Sequence, residues 1–349
     1  MKKTNTLSSA RIRQQLKYDL IGKDSYRGIT LSYAYLANQT GHFALAFAPA
    51  AGLFIILKNY TALADPGLWS GLISTLLWVG FELYNITVQL KEARQANQSY
   101  IFKPDYKNII ADTLIDMGYF AFGGLTFVAG STALYNDWFF ILPIVLLFFL
   151  LYISRSWYIT KICQQTAYYP YQLRLSQWKH AISESDKKIV GQYFSAEKKG
   201  QHIFLFGPQQ SGKTGLAVAL TNEFSIQRKK CLYLTGTKLL AQLYDTDAAI
   251  FAEDEFALCT WRTADYLVID DINPGDPIWD ETITAGLFLN HLNARPENAL
   301  ALWDKNIIWV LGNINKTDLK KDWIQLLESI NIQQENIHTI QLGIAIRVK

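Results

Sequence analysis

Gly207-Pro208-Gln209-Gln210-Ser211-Gly212-Lys213-Thr214 decides how this chain is read. It fits the pattern G-x-x-x-x-G-K-[ST], and its flanks agree with it. The apolar run Ile203-Phe204-Leu205-Phe206 precedes it and predicts a buried strand, while Leu216-Ala217-Val218-Ala219-Leu220 follows and predicts a helix. The glycines let the backbone curl until its N–H groups converge on an anion, and the helix behind adds the positive end of its dipole. Gly207 through Gly215 thus form a candidate phosphate cradle. Lys213 is placed for the β/γ-phosphates of ATP and the Thr214 hydroxyl for Mg²⁺. A glycine-rich turn before an ordinary helix is the competing reading, and it leaves Lys213 without a role.

Further strand-like runs follow at Lys230–Leu234, Tyr266–Ile269, Ile307–Leu311 and Ile337–Leu342, with helical stretches between them. Five strands alternating with helices predict a parallel sheet sandwiched by helices. The third run ends in Asp270-Asp271. A carboxylate at the tip of a buried strand is costly unless it has a partner or a task. Asp270 suits a metal-holding role through water, and Asp271 is placed to polarise an attacking water. The fourth run leads to Gly312-Asn313, where the Asn313 amide could orient water near a γ-phosphate. Asn is also common at such turns. Lys213, Asp271 and Asn313 are therefore the candidate catalytic residues, with Thr214 and Asp270 the candidate metal ligands.

Half of the 349 residues are hydrophobic and 18% are charged, and the apolar excess lies in the first half. A helix needs about 20 mostly apolar residues to span a bilayer. Four stretches qualify, near residues 39–58, 68–90, 109–134 and 138–155. Lys and Arg cluster before the first span, between the second and third, and after the fourth, while the other loops are nearly free of them. That alternation predicts a multi-pass protein of a bacterial inner membrane with both termini cytoplasmic. Cys163, Cys231 and Cys259 have neither metal-like spacing nor a disulfide pattern.

The charge is asymmetric. From Gly200 to Lys349 there are 13 Lys+Arg against 18 Asp+Glu, a net of −5. The rest of the chain carries 20 against 12, a net of +8, beside the membrane, where anionic lipids would attract it. An acidic second half argues against nucleic acid as a partner.

The second half resembles the AAA+ ATPases, and within them the helicase-loader and transposition-helper (IstB-like) type. The likeness rests on Cys231–Leu240, on Tyr266–Ile272, and on Leu287–Arg295 followed by Ile307–Asn313. It covers about 140 residues of the 349 and does not reach the apolar half. The resemblance implies ATP and Mg²⁺ as ligands and ring-like homo-oligomers as a possibility. Departures matter. No arginine follows Asn313 until Arg347, so the usual arginine finger is missing, and Arg295, Lys316 and Arg347 are the substitutes considered. The last strand leaves no room for the helical lid. Slow hydrolysis is expected, because such a finger is worth ~10³–10⁵ in rate. Lys238 to Asp265, where relatives meet DNA, holds two basic against six acidic residues.

Glu82, Asn85, Asp112 and Asp116 fall inside the spans and His42 at the start of the first. Such groups are expected to face the bundle, either as interhelical hydrogen-bond partners or as acids near enough to the interface to stay wet, the favoured readings, or as an ion or proton site. Gly118, Gly123, Gly124 and Gly130 predict close helix packing. The chain thus divides into a basic segment (1–28), a four-helix transmembrane bundle (29–155), a connector (156–199) and an ATPase domain (200–349). The fold class is α plus α/β, a bundle followed by a P-loop NTPase without a lid. Three functions stay open: an ATP-dependent switch or assembly factor acting on an unknown membrane-associated protein, a nucleotide-holding scaffold with little turnover, and a transporter or channel component gated by ATP.

Overall fold

The computed structural model describes residues 10, 13–14, 17, 31–95, 101–103, 106–132, 137–195, 199–253, 257–273, 283–312 and 317–343. The chain forms two compact units. One holds Met1–Ser99 and Pro104–Ile159, the other Tyr100–Lys103 and Thr160–Lys349.

The first unit is helical: α1 (Leu31–Tyr60), α2 (Pro66–Gln95), α3 (Lys107–Thr132) and α4 (Ile141–Gln165), the last entered through a 3₁₀ turn at Asp137–Phe140. All four contain stretches long and apolar enough to cross a membrane. These helices outrun the expected spans at most ends, because polar turns added at their termini remain helical. Close packing falls where small residues repeat. A Cβ on Gly124 would sit 2.9 Å from the Gly71 carbonyl oxygen, and one on Gly123 would sit 2.3 Å from the Phe43 carbonyl oxygen. Gly118 gives way to Leu150 of α4, but Gly130 borders open space, so its predicted packing role is not realised. The polar residues do converge. Asp116 lies 3.0 Å from His42 Nδ1, a close ionic approach off the line of a hydrogen bond, and accepts from Gln39 Nε2 at 3.3 Å.

The second unit is built on five parallel strands: β1 (His202–Phe206), β2 (Cys231–Thr235), β3 (Tyr266–Asp270), β4 (Asn306–Val310) and β5 (Ile337–Gln341). Their order is β2-β3-β4-β1-β5. Side chains alternate between the two faces, as the pleat requires. Ile203, Leu205, Val268 and Ile308 pack on one side beneath α5 (Glu184–Ser195) and α6 (Lys213–Ile226). Phe204, Phe206, Ile269 and Trp309 pack on the other beneath α9 (Ala285–Asn293) and α11 (Thr317–Ser329). Between these lie α7 (Gly236–Gln242), α8 (Asp247–Glu253) and α10 (Pro296–Trp303).

The segment set apart by sequence as a connector, 156–199, is largely part of this second unit. From Gln164 it runs along α6. Gln164 donates to Asn222 at 2.8 Å, Tyr169 pairs with Ser225 at 2.8 Å, and Arg174 bonds Glu223 through two nitrogens at 2.7 and 2.9 Å. Trp178 and Tyr169 join the core that holds Leu216, Ala217 and Leu220 of α6.

His202 opens β1 fully buried, and its Nδ1 accepts from Trp309 Nε1 at 3.1 Å. Burial pulls its pKa from 6.5 down to about 3. Between those values the unfolded chain binds a proton that the folded chain refuses, so stability is full above 6.5 and falls as pH drops through the window. We expect a loss of up to about 5 kcal/mol across that window. Urea unfolding followed by tryptophan fluorescence should reveal it, and His202→Asn should flatten it.

Candidate functional site

Because every strand is parallel, the carboxyl ends of β1, β3, β4 and β5 share one edge of the sheet. The strand order reverses on either side of β1, and such a reversal opens a crevice there. The Gly207–Gly212 loop leaves β1 at this point and enters α6 at Lys213. Gly207 N–H reaches the Gly312 carbonyl at 3.5 Å, and Leu342 N–H donates to the Phe206 carbonyl at 2.8 Å, so β4 and β5 hem the loop in.

The loop's shape depends on its glycines. Gly212 has φ +87°, and a Cβ there would lie 2.4 Å from the His180 ring. At Gly207 a Cβ would come within 2.6 Å of the Leu342 carbonyl oxygen. Gln209 and Gln210 form the exposed tip, with Gln210 at φ +63°. Ser211 Oγ is buried with no partner among the described residues. Lys213 Nζ folds back and donates to the Gly207 and Pro208 carbonyls at 2.7 Å each. Burial lowers the Lys213 pKa, and the charge of Asp270 partly offsets this. Thr214 and Gly215 form the first turn of α6. An orphaned hydroxyl, a curled loop and an ammonium that, among the described residues, bonds loop carbonyls alone fit an anionic ligand. Phosphate oxygens would take over the ammonium and meet the hydroxyl.

Asp270 closes β3 and is 2% exposed. Its Oδ1 accepts from the Asp271 N–H at 2.8 Å and its Oδ2 from the Tyr233 hydroxyl at 2.9 Å. Asp271 is left-handed, at φ +52°. Burial first, and the charge of Asp270 second, raise its pKa from the ordinary aspartate value. Asp270 and Asp271 thus stand at the same sheet edge as the loop that leads into Lys213. Asn313, Lys316 and Arg347 lie outside the described residues. Arg295 stands at the N-cap of α10.

Sequence reasoning passed over four residues here. The Trp178 indole donates to the Gly212 carbonyl at 2.9 Å, His180 leans on Gly212, and Tyr171 Oη would be 3.5 Å from a Cβ on Gly215. Tyr233 is the fourth. The tyrosine-rich composition of 157–199 was the available signal, but composition carries no contact.

A five-stranded parallel sheet with a glycine loop and helix after β1 is consistent with a P-loop NTPase fold. No protein-family model and no curated protein matches the chain. Solved structures similar to it include those of DnaI and the DnaC helicase loader. The crystal structure of DnaI is 15% identical, with 46% of this chain and 80% of that one covered, at a TM-score of 0.29. That of the DnaC helicase loader is 16% identical, with 52% and 98% covered, at 0.31. At these scores the likeness adds no weight, and the site is read from its own geometry.

Gly212→Ala would force a side chain into the left-handed region and into the His180 ring. We expect a loss of about 1–3 kcal/mol in thermal or urea unfolding. Gly191→Ala, where a Cβ meets nothing within 4 Å, serves as the control.

Proposed function

We propose that this chain is a membrane-anchored ATP-binding protein and a slow AAA+-like ATPase. It acts as a nucleotide-dependent switch or assembly factor on a membrane-associated protein at the cytoplasmic face. The observation that carries the nucleotide reading is the curled Gly207–Gly212 loop between β1 and α6, with the Lys213 ammonium folded onto loop carbonyls and the buried Asp270 closing β3 at the same sheet edge. Gly207–Gly215 would hold the phosphates, and Thr214 and Asp270 a Mg²⁺ ion, whose charge neutralises the phosphate oxygens. Asp271, with its raised pKa, would accept a proton from water more readily than an ordinary carboxylate.

Anchoring is supported by what the helices leave uncovered. Leu77 is 65% and Phe148 69% exposed, among many large apolar side chains on α1, α2 and α4. An apolar surface of that extent needs lipid or protein against it.

Lys213→Ala should abolish binding of a fluorescent ATP analogue while the protein keeps its helical circular dichroism and stays in the alkali-washed membrane pellet. ATP affinity equal to wild type would end the nucleotide reading, and release by alkali would end the anchoring one. Asp271→Asn should keep binding and lower hydrolysis by about 10²–10⁴-fold in a phosphate-release assay.

A further inference from the structure

Asp270 is an acid with almost no water around it, so its orientation is set by protein donors. It has two. The Asp271 N–H holds Oδ1 from the chain's own next residue, and the Tyr233 hydroxyl holds Oδ2 from the neighbouring strand. The register explains the reach. Tyr233 pairs with Val268 across β2 and β3, two residues before Asp270, so a phenol running along the sheet ends at the carboxylate. Tyr233 is itself clamped on its far side, where its N–H donates to the Ala167 carbonyl at 2.8 Å. The hydroxyl stays a neutral donor, because burial and then the charge of Asp270 push its pKa far up.

An ionised carboxylate has about four lone-pair positions. With one donor on each oxygen, one position per oxygen remains. Loss of the phenol donor would free the group to turn about its Cβ–Cγ bond and would leave Oδ2 short of a partner in a dry place.

We propose that Tyr233 is a positioning residue that fixes the plane of the Asp270 carboxylate, so that a nucleotide-bound divalent cation meets it without reorientation. The inference rests on the reading of Asp270 as the metal side of an ATP site. Partners of this kind, one step removed from a metal, typically govern its affinity by 10–100-fold.

The test is binding of a fluorescent ATP analogue to the full chain in detergent, titrated with Mg²⁺. In Tyr233→Phe the Mg²⁺ needed for half-maximal effect should rise about 10–100-fold, with metal-free nucleotide affinity within about twofold of wild type. Tyr233→4-aminophenylalanine, which keeps a donor at the same place, should restore most of the Mg²⁺ response. In an Asp270→Asn background the Phe substitution should have no further effect on it. A Mg²⁺ titration superimposable on wild type would overturn the proposal. So would an equal loss of metal-free and metal-bound affinity, or a full effect persisting without the Asp270 charge. If Lys213→Ala binds nucleotide as wild type does, the ATP reading fails and the proposal with it. If Lys213→Ala fails to bind and Tyr233→Phe is unchanged, only the role of Tyr233 falls.

Discussion

A nearly waterless carboxylate is the constraint around which the second unit is arranged. Leaving Asp270 ionised without partners would cost several kcal/mol. The chain answers with a phenol from β2 and a backbone N–H from the turn after β3. Two elements separated in sequence must therefore stand at a fixed distance. A one-residue slip of β2 against β3 would turn Tyr233 to the opposite face and leave Oδ2 without its donor. The sheet register and the chemistry of the site are thus one specification. A buried charge of this kind is retained for what it does, since an apolar residue would fill the space at less cost.

The segment between α4 and α5 is the second consequence. The helix that carries Lys213 has one face on the sheet, and its other side would expose Glu223, Asn222 and Ser225 to partial burial. Residues 164–178 cover that side and satisfy each of these groups, the pair between Arg174 and Glu223 being the strongest. The same segment ends with Trp178 on the Gly212 carbonyl, which also accepts the first α6 backbone bond from Leu216. A carbonyl held by two donors leaves the loop little freedom at its entry into the helix.

How much of this was legible in sequence follows from the range of each interaction. The five strands were visible because each is a short apolar run bounded by polar turns, and their observed bounds differ by one residue at most ends. The loop was visible because its glycines, Lys213 and Thr214 are contiguous. Tyr233, Trp178 and His180 could not be found in that way. Tyr233 meets Asp270 across 37 positions and Trp178 meets Gly212 across 34, with nothing local to mark either. The segment 156–199 reads as a connector because its aromatic and aliphatic residues are mixed with charged ones and irregularly spaced. Its order comes from α6, not from its own periodicity.

In the helical unit, the inner and outer faces are set by different residues. The most apolar part of α3 is 44% buried, against 11% for α1 and α2 and 17% for α4, so α3 is the helix that the others pack upon. Its glycines let α1 and α2 approach at backbone distance, whereas α4 is met through side chains, Leu150 on Gly118 and Ser154 on Tyr119. Asp116 lies on α3 among residues from α1, with Gln39 and His42 supplying its polar contacts. In a bilayer, where no water would drive apolar helices together, such contacts would add direction to association, because an acid facing outward would find no partner there. The same contacts leave Asp116 occupied by its neighbours. That favours a pairing role over an ion path, which would need a group free to exchange partners.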